Sequence, residues 1–452
     1  MLVALFCLVG CAKISETVST EDVYSFANEN STFRSEKECI EEIESLWDDV
    51  YGVKTKSAKR FPEIINTVLV SSPVTKASEV KDTIAFLFNF SDDQGFALVR
   101  AQRNAAPIVA LTDSGNLEEI KLLNDDASFE DNGEKIMYGL LRRELFSPKD
   151  TTFIITPHYP TRDSSHISTG AWYTDASAGP LVHVKWGQAY PFNKYMPTSN
   201  YEDHDLSTQY KGRYPAGCTI IATAQIMVTT QHPSVFSTLI CGRYLSSMTG
   251  ISTYSNYTNY KWYNYDTNVT DSLDRARMDG AADMIRTIAS RINASYSQNG
   301  TGAWPENAMN MLIQDDASFY GSPHGQSYEP EYNGYDILYN FLSDGKPMPM
   351  WGWRGYTDPD GTIHTQSGHT WVMDGYLNRH RHLSNGQIES QHLIHFNWGW
   401  QGRCDGYFSQ GVVDLTQRVM RDNVIDTNNQ SLMNRDYCYN TAFYIYGYIG
   451  VH

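Results

Sequence analysis

Between Ser147 and Pro180 the chain is rich in Ser, Thr, Pro, Gly and Asp and holds few apolar pairs until Leu181-Val182. A structureless loop of that length is unusual inside one compact domain, and exposed polar connectors are where proteases cut. The stretch therefore divides the chain into two folding units. With 452 residues there is room for two or three domains. A hydrophobic fraction of 41% and a charged fraction of 19% suit units with sizeable cores. The expected division is 1–10, 11–168 with the connector at its end, and 169–452.

Local patterns give each unit an α+β content. In the first, residues 37–51 set Ile40, Ile43, Leu46, Trp47 and Val50 at helical spacing. Ile84–Phe90 and Gly95–Arg100 read as strands around a Ser-Asp-Asp-Gln hairpin loop, followed by Pro107–Leu111 and a turn at Asp113-Ser-Gly115. In the second, Ala216–Met227 reads as an Ala-rich helix. Residues 271–293 form another, with Ala281, Met284, Ile285, Ile288, Ala289 and Ile292 on one face, and Tyr335–Leu342 a third. Thr370–Met373, Leu393–Trp398, Gly406–Phe408 and Ala442–Val451 read as strands, and His380-Arg-His382 as an exposed polar loop. An aromatic fraction of 13%, with 30 Tyr and 10 Trp, favours β surfaces and extended grooves.

Charge and cysteine usage narrow the function classes. A net charge of −17 with no basic run argues against nucleic acid as a partner. The 7 Cys are sparse, none in a C-x-x-C pair, so a zinc ribbon or thioredoxin-type site is not expected. No H-E-x-x-H occurs, so a zinc site is not expected, and no G-x-S-x-G supports serine hydrolysis. Residues 2–10 (LVALFCLVG) suit the apolar region of an export signal and run into Cys11. Leu8-Val9-Gly10-Cys11 looks like a bacterial lipobox, which makes Cys11 a candidate lipidation site and the cell envelope, through its outer-membrane lipid, a candidate location. No Lys or Arg precedes the run; the first basic residue is Lys13.

Four stretches carry chemistry. Gly217-Cys218 opens the Ala-rich helix, where the macrodipole and free N–H groups stabilise a thiolate, and Gly217 lets a backbone come close. Alone, it reads more readily as a small buried Cys on a core helix. Gly368-His369 heads a strand, a rigid mount for a general base, and alone fits a strand-end His bonded to a carbonyl. Asn397 closes an apolar strand before Trp398-Gly-Trp400, where it can fix an imidazole tautomer and either Trp can shield that bond from water. A Trp-Gly packing turn, a common motif, is the alternative. Gln188, in Trp186-Gly187-Gln188, is a candidate oxyanion donor and otherwise a surface Gln. The order decides: Cys218, His369 151 residues later (369 − 218), then Asn397 28 further on (397 − 369). Papain-type enzymes set the His and Asn roughly 130–150 residues beyond the Cys.

These strings resemble the streptopain family of bacterial cysteine peptidases. Gly217-Cys218 with Ala222-Thr-Ala224-Gln-Ile-Met227 is similar to its nucleophile helix, and Gly368-His369 with Asp374-Gly375-Tyr376 to its histidine strand. Asn397-Trp398-Gly399-Trp400 with Asp405-Gly406-Tyr407-Phe408 is close to its most distinctive motif. Gly95-Phe96-Ala97-Leu98-Val99 with Pro107-Ile108 resembles its propeptide. Two departures are Ile220, where Ala is usual, and Gln401, where Gly is usual. The resemblance implies a papain-like α+β fold (a helical part plus an antiparallel sheet), a zymogen whose first module covers the groove, protein or peptide substrates, and no cofactor. It also implies a preference for a bulky apolar side chain two residues before the cut. A rival expectation is a catalytically silent surface lipoprotein that uses the same fold to bind peptides or glycans.

Overall fold

The computed structural model of the chain describes residues 32–52, 59–71, 83–124, 127–129, 131–146, 170–202, 209–230, 272–315, 319–321, 334–357, 363–413, 419–420, 438–443 and 446–448. The lipobox and Cys11 lie outside the described residues. Helix α1, Glu36–Val50, begins in a capping box: the Ser35 hydroxyl accepts the Glu38 N–H at 3.3 Å and the Glu38 carboxylate accepts the Ser35 N–H at 2.7 Å. Strands β1 (Ile64–Ser71), β2 (Thr83–Phe90), β3 (Phe96–Arg100) and β4 (Ile108–Thr112) pair consecutively and antiparallel. A short helix α2 (Glu119–Leu123) leads to α3, Asn132–Phe146.

The sequence reading has no counterpart of α3, and the physical reason is its surroundings. Almost every residue after Asn132 is buried, so no apolar stripe shows. Its charged members survive burial by pairing: Glu144 with Arg100, Glu134 with Lys121, Arg142 with the Leu122 carbonyl, and Arg143 with the Val412 carbonyl. β1 is likewise absent from the reading, because its exposed and covered residues do not alternate.

The second segment opens with β5 (Tyr173–Ala178), followed by α4 (Cys218–Thr230), α5 (Ser272–Arg291), the hairpin β6 (Ser295–Ser297) and β7 (Gly300–Gly302), and α6 (Pro305–Asp315). Then come β8 (Phe319–Gly321), α7 (Gly334–Ser343), β9 (Met348–Thr357), β10 (Ile363–His382), β11 (Ile388–Asn397), β12 (Gly406–Ser409), β13 (Val419–Met420), β14 (Cys438–Phe443) and β15 (Tyr446–Tyr448). Two expectations are corrected. His380 and His382 lie on the last turn-ward residues of β10, not in a loop. The connector also ends earlier than Pro180, since β5 pairs with β10. Residues 147–169, and 444–445 and 449–451 of the expected last strand, lie outside the described residues.

The larger surprise is that one sheet crosses both segments. Its order is β1-β2-β3-β4-β12-β11-β10-β9-β14-β13, with β5 added on β10. The seam is β4 on β12, with Thr112 opposite Gly406, Leu111 opposite Tyr407 and Ala110 opposite Phe408. One core cluster follows from this, uniting Leu98 and Leu140 of the first segment with Trp371, Phe396 and Phe408 of the second. A second core lies under α4, α5 and α6. Helix α1 adds ion pairs across the junction: Arg379–Asp49 at 3.1 Å, Arg381–Glu42 at 2.7 Å and, from the residue before its cap, Arg34–Glu389 at 3.0 Å. Trp172 lies against both guanidinium groups, 4.4 Å from each, and donates to Glu42.

A bulge in β10 brings a charge into the interior. The register slips between Met373 and Gly375, and the Asp374 carboxylate meets His395 Nδ1 at 2.6 Å while also accepting the Val182 N–H at 3.0 Å. Burial opposes a charged His395, but Asp374, with Asp405 and Asp113 farther off, outweighs it and holds the imidazole's pKa above its ordinary value. A raised folded-state pKa gives stability that is complete below about pH 6.5 and lost as pH climbs through the folded value. Replacing His395 by Gln leaves Asp374 buried without its partner. Thermal or urea unfolding at pH 6 should show a loss of about 3 kcal/mol. The alkaline decline of wild-type stability should be flattened in the variant.

Candidate active site

Helix α4 begins at Cys218, the position where its unpaired N–H groups gather. Gly217 precedes it at φ +95°, a left-handed conformation that glycine accepts, and a Cβ there would press on the Thr301 carbonyl at 3.0 Å. His369 sits in β10 opposite Gly352 of β9. The neighbours of the two residues are fastened to each other. Thr219 Oγ1 and Thr370 Oγ1 are 2.9 Å apart and buried, and Thr219 also donates to the Ala303 carbonyl. Cys218 and His369, distant along the chain, are thereby hydrogen-bonded side chain to side chain.

The electrostatics shift both groups toward their charged forms. Burial raises the Cys218 thiol, but the bond and charge of His369, with the N–H groups of Thr370 and Thr219, outweigh it and leave the pKa below the ordinary value. Burial lowers His369, and here the Cys218 sulfur, the Asp131 charge and the Trp398 carbonyl outweigh it and raise its pKa. By contrast Cys39 and Cys404 are buried and pushed up to about 12, chiefly by loss of water.

The imidazole is oriented by a backbone atom. His369 Nε2–H donates to the Trp398 carbonyl at 2.8 Å, which leaves Nδ1 as the nitrogen free for the sulfur. This corrects the expectation for Asn397. Its Oδ1 accepts from Gln225 Nε2 at 3.0 Å and from the Gly399 N–H at 3.1 Å, so the side chain ties α4 to the Trp-Gly-Trp turn and acts on the turn, not on the ring. Asp405 completes the clamp: its Oδ1 accepts the Trp398 N–H at 2.9 Å. Burial pushes the Asp405 carboxyl up to about 7 against the pull of that N–H. Nothing in residue type announces a main-chain carbonyl, so Trp398's backbone role has no sequence signal. Gln225 and Asp405 both stand inside the motif strings, without a spacing that reveals their partners.

The remaining expected residues surround this pair. Trp398 is fully buried and stacks on Trp400 at 5.3 Å, and Trp400 tilts over His369 at 5.1 Å. Gly368 leaves room for the Trp351 indole, whose Nε1 would be 2.7 Å from a Cβ. Gln188 is drawn toward the nucleophile by the Ala216 N–H, which its carbonyl accepts at 2.9 Å, and its side chain lines a cavity of about 540 Å³ shared with Trp400. Ile220 is fully buried in the core under α4. Gln401 holds φ +63°, a conformation that suits glycine better.

One contact comes from the first segment. Asp131 caps α3 by accepting the Glu134 N–H at 2.8 Å, and the first turn of α3 runs against the imidazole. A Cβ built on Gly133 would fall 2.6 Å from His369 Nδ1 and 2.8 Å from the Trp400 ring.

The sequence profile described as the peptidase C10 family matches residues 186–408, which hold every residue of this arrangement except the α3 contact. Over those residues the chain is similar to the peptidase C10 family. Among curated proteins, the thiol protease/hemagglutinin PrtT of Porphyromonas gingivalis is 24% identical over 364 residues, 78% of this chain. The chain spans 37% of that relative's length. Among solved structures, a prointerpain A fragment of Prevotella intermedia covers 83% of this chain and 98% of its own, at 18% identity and a TM-score of 0.44. Active interpain A of the same organism covers 52% of this chain and 87% of its own, at 20% identity and a TM-score of 0.34. Residues 186–408 carry a cysteine at a helix start and a histidine on an antiparallel sheet.

The clamp on Trp398 predicts unequal effects at Asp405. Asn keeps an acceptor for the Trp398 N–H and Ala does not. Iodoacetamide alkylation of Cys218, followed by mass spectrometry across pH 5 to 9, should show a raised thiol pKa and about ten-fold slower labelling near pH 6 in Asp405→Ala. Asp405→Asn should stay close to wild type. Equal profiles for both variants would mean that the Trp398 peptide is held without Asp405.

Proposed function

We propose that this chain is the precursor of a cysteine endopeptidase. The observation that carries the reading is the hydrogen-bonded Cys218–His369 pair, with Nε2 of the ring held by the Trp398 carbonyl and the thiol's pKa below its ordinary value. In the proposed reaction the Cys218 thiolate adds to the scissile carbonyl. The oxyanion takes hydrogen bonds from the Cys218 backbone N–H and the Gln188 side chain, each such donor contributing about 3 kcal/mol in the transition state. His369 Nδ1 gives its proton to the leaving amine. Water, deprotonated by the same nitrogen, then adds to the acyl carbonyl, and collapse of that intermediate releases the acid and restores the Cys218 thiolate beside protonated His369. Asn397 serves by holding the Trp398–Gly399 turn. Protein or peptide chains are the substrates.

On this reading the first segment is an inhibitory propeptide. The first turn of α3 occupies the approach to His369 Nδ1 and Trp400, where a substrate backbone has to lie. Cutting in the polar connector, between residues 147 and 169, would begin its removal. Export follows from the apolar leader, and Cys11 of the lipobox is the lipid-bearing residue; an alkyne fatty acid should label the wild-type chain and not Cys11→Ser.

Cys218→Ala should abolish casein cleavage and labelling by an epoxide thiol inhibitor, and leave the precursor uncut. Persistence of either activity defeats the proposal, and a folded chain with a reactive Cys218 that cleaves nothing would favour the peptide- or glycan-binding alternative. Gly133→Val inserts a side chain where 2.6 Å separates a Cβ from the ring. It should loosen the propeptide and speed processing severalfold, read from the time course of the mature band.

A further inference from the structure

The cavity beside Trp400 is walled from both segments, with opposite charges. The second segment contributes Lys185, Gln188 and Arg403, and the N-terminal segment contributes Asp93 and Asp131. Among the described residues, the wall that remains once the N-terminal segment is gone holds two cations and no carboxylate.

The cations are mounted by backbone. The Lys185 stem crosses Gly402, where a Cβ would be 2.5 Å from Lys185 Cδ, and Gly402 has φ +90°, so glycine clears the path on both counts. The Gln401 N–H donates to the Trp186 carbonyl at 3.0 Å, locking this turn to the chain beside Lys185. The Arg403 guanidinium lies 5.9 Å from the centroid of the Trp400 ring. The two carboxylates are fixed in turn. Asp131 caps α3, and Asp93 accepts from Asn116 Nδ2 at 3.0 Å.

The cavity's position tells which half of a substrate enters it. Trp400 leans on His369, the group that protonates the leaving amine in the reaction above. The residues after the cut leave on that side, so the cavity receives them.

We propose that Lys185 and Arg403 form a subsite for an acidic side chain on the C-terminal side of the scissile bond, and that Asp93 and Asp131 stand in for that side chain before processing. The inference rests on the endopeptidase reading and names the substrate class of the same site.

The test uses the full-length chain after processing and internally quenched peptides that share one sequence before the cut. They differ in the first or second residue after it: Asp, Asn or Lys. Asp should exceed Asn in kcat/KM about three- to ten-fold, as expected for partly exposed ion pairs, and the ratio should shrink between 50 and 500 mM salt. Lys185→Glu should turn the preference toward Lys, and the double variant Lys185→Gln, Arg403→Gln should bring the Asp-to-Asn ratio to about one. A wild-type ratio of one, or a preference that survives the double variant, overturns the subsite while leaving the peptidase standing. Failure to cleave every peptide overturns the peptidase reading and the subsite together. In the precursor, Asp93→Asn with Asp131→Asn keeps the α3 cap and should speed processing about threefold; an unchanged rate overturns the mimicry.

Discussion

A buried thiol and a buried imidazole are each driven toward neutrality by loss of water, and the chemistry of this site depends on their pairing being stronger than that drive. Either group alone would be shifted the wrong way. Together, with two backbone N–H groups on the sulfur and a carbonyl on Nε2, both shift toward the charged pair. Such a balance is short-ranged and tolerates little displacement. The surrounding structure therefore reads as a set of devices that hold two atoms in register: the Thr219–Thr370 contact between helix and strand, the Asp405–Trp398–His369 relay of main-chain bonds, and the Gln225–Asn397 bond from α4 to the turn.

Local features of this machinery were legible in the sequence, and its long-range geometry was not. Gly217-Cys218 before an Ala-rich run specifies a helix start with a thiol on it, and α4 begins at Cys218. The α5 stripe from Ala281 to Ile292 is buried as its spacing requires. What escaped was whatever depends on partners distant in the chain. The imidazole's orienter is a peptide carbonyl, which no residue type encodes, and the neighbouring Asn drew the assignment because its side chain is the familiar acceptor. Helix α3 escaped because full burial erases amphipathic periodicity. Gly133, a weak helix former, is there because nothing larger fits against the imidazole.

The sheet that joins the two expected modules escaped for a related reason. Composition locates a polar connector, but hydrogen bonding between β4 and β12 involves residues hundreds of positions apart and leaves no compositional trace. The alternating and continuous apolar runs of both strands only require burial; they do not say under what. Joining the sheets covers the edge of β12, which would otherwise offer unpaired N–H and C=O groups to any extended chain.

On the proposed function, that seam also bears on how inhibition is built. The α3 contact with His369 is a close approach of a glycine to a ring, with little area of its own. It is held there by attachments elsewhere: the β4–β12 ladder, the shared core around Leu140 and Phe408, and the ion pairs of α1 and Arg34 with the β10–β11 hairpin. None of these passes through residues 147–169. A cut in the connector removes the covalent tether and leaves each attachment intact, so it converts an intramolecular inhibitor into a bound one. Separation then requires the sheet to part, a change of the cooperative kind that exposes an edge and several buried charges at once. On the proposed function, the strength of the shared sheet, rather than access of a protease to the connector, governs when the site opens.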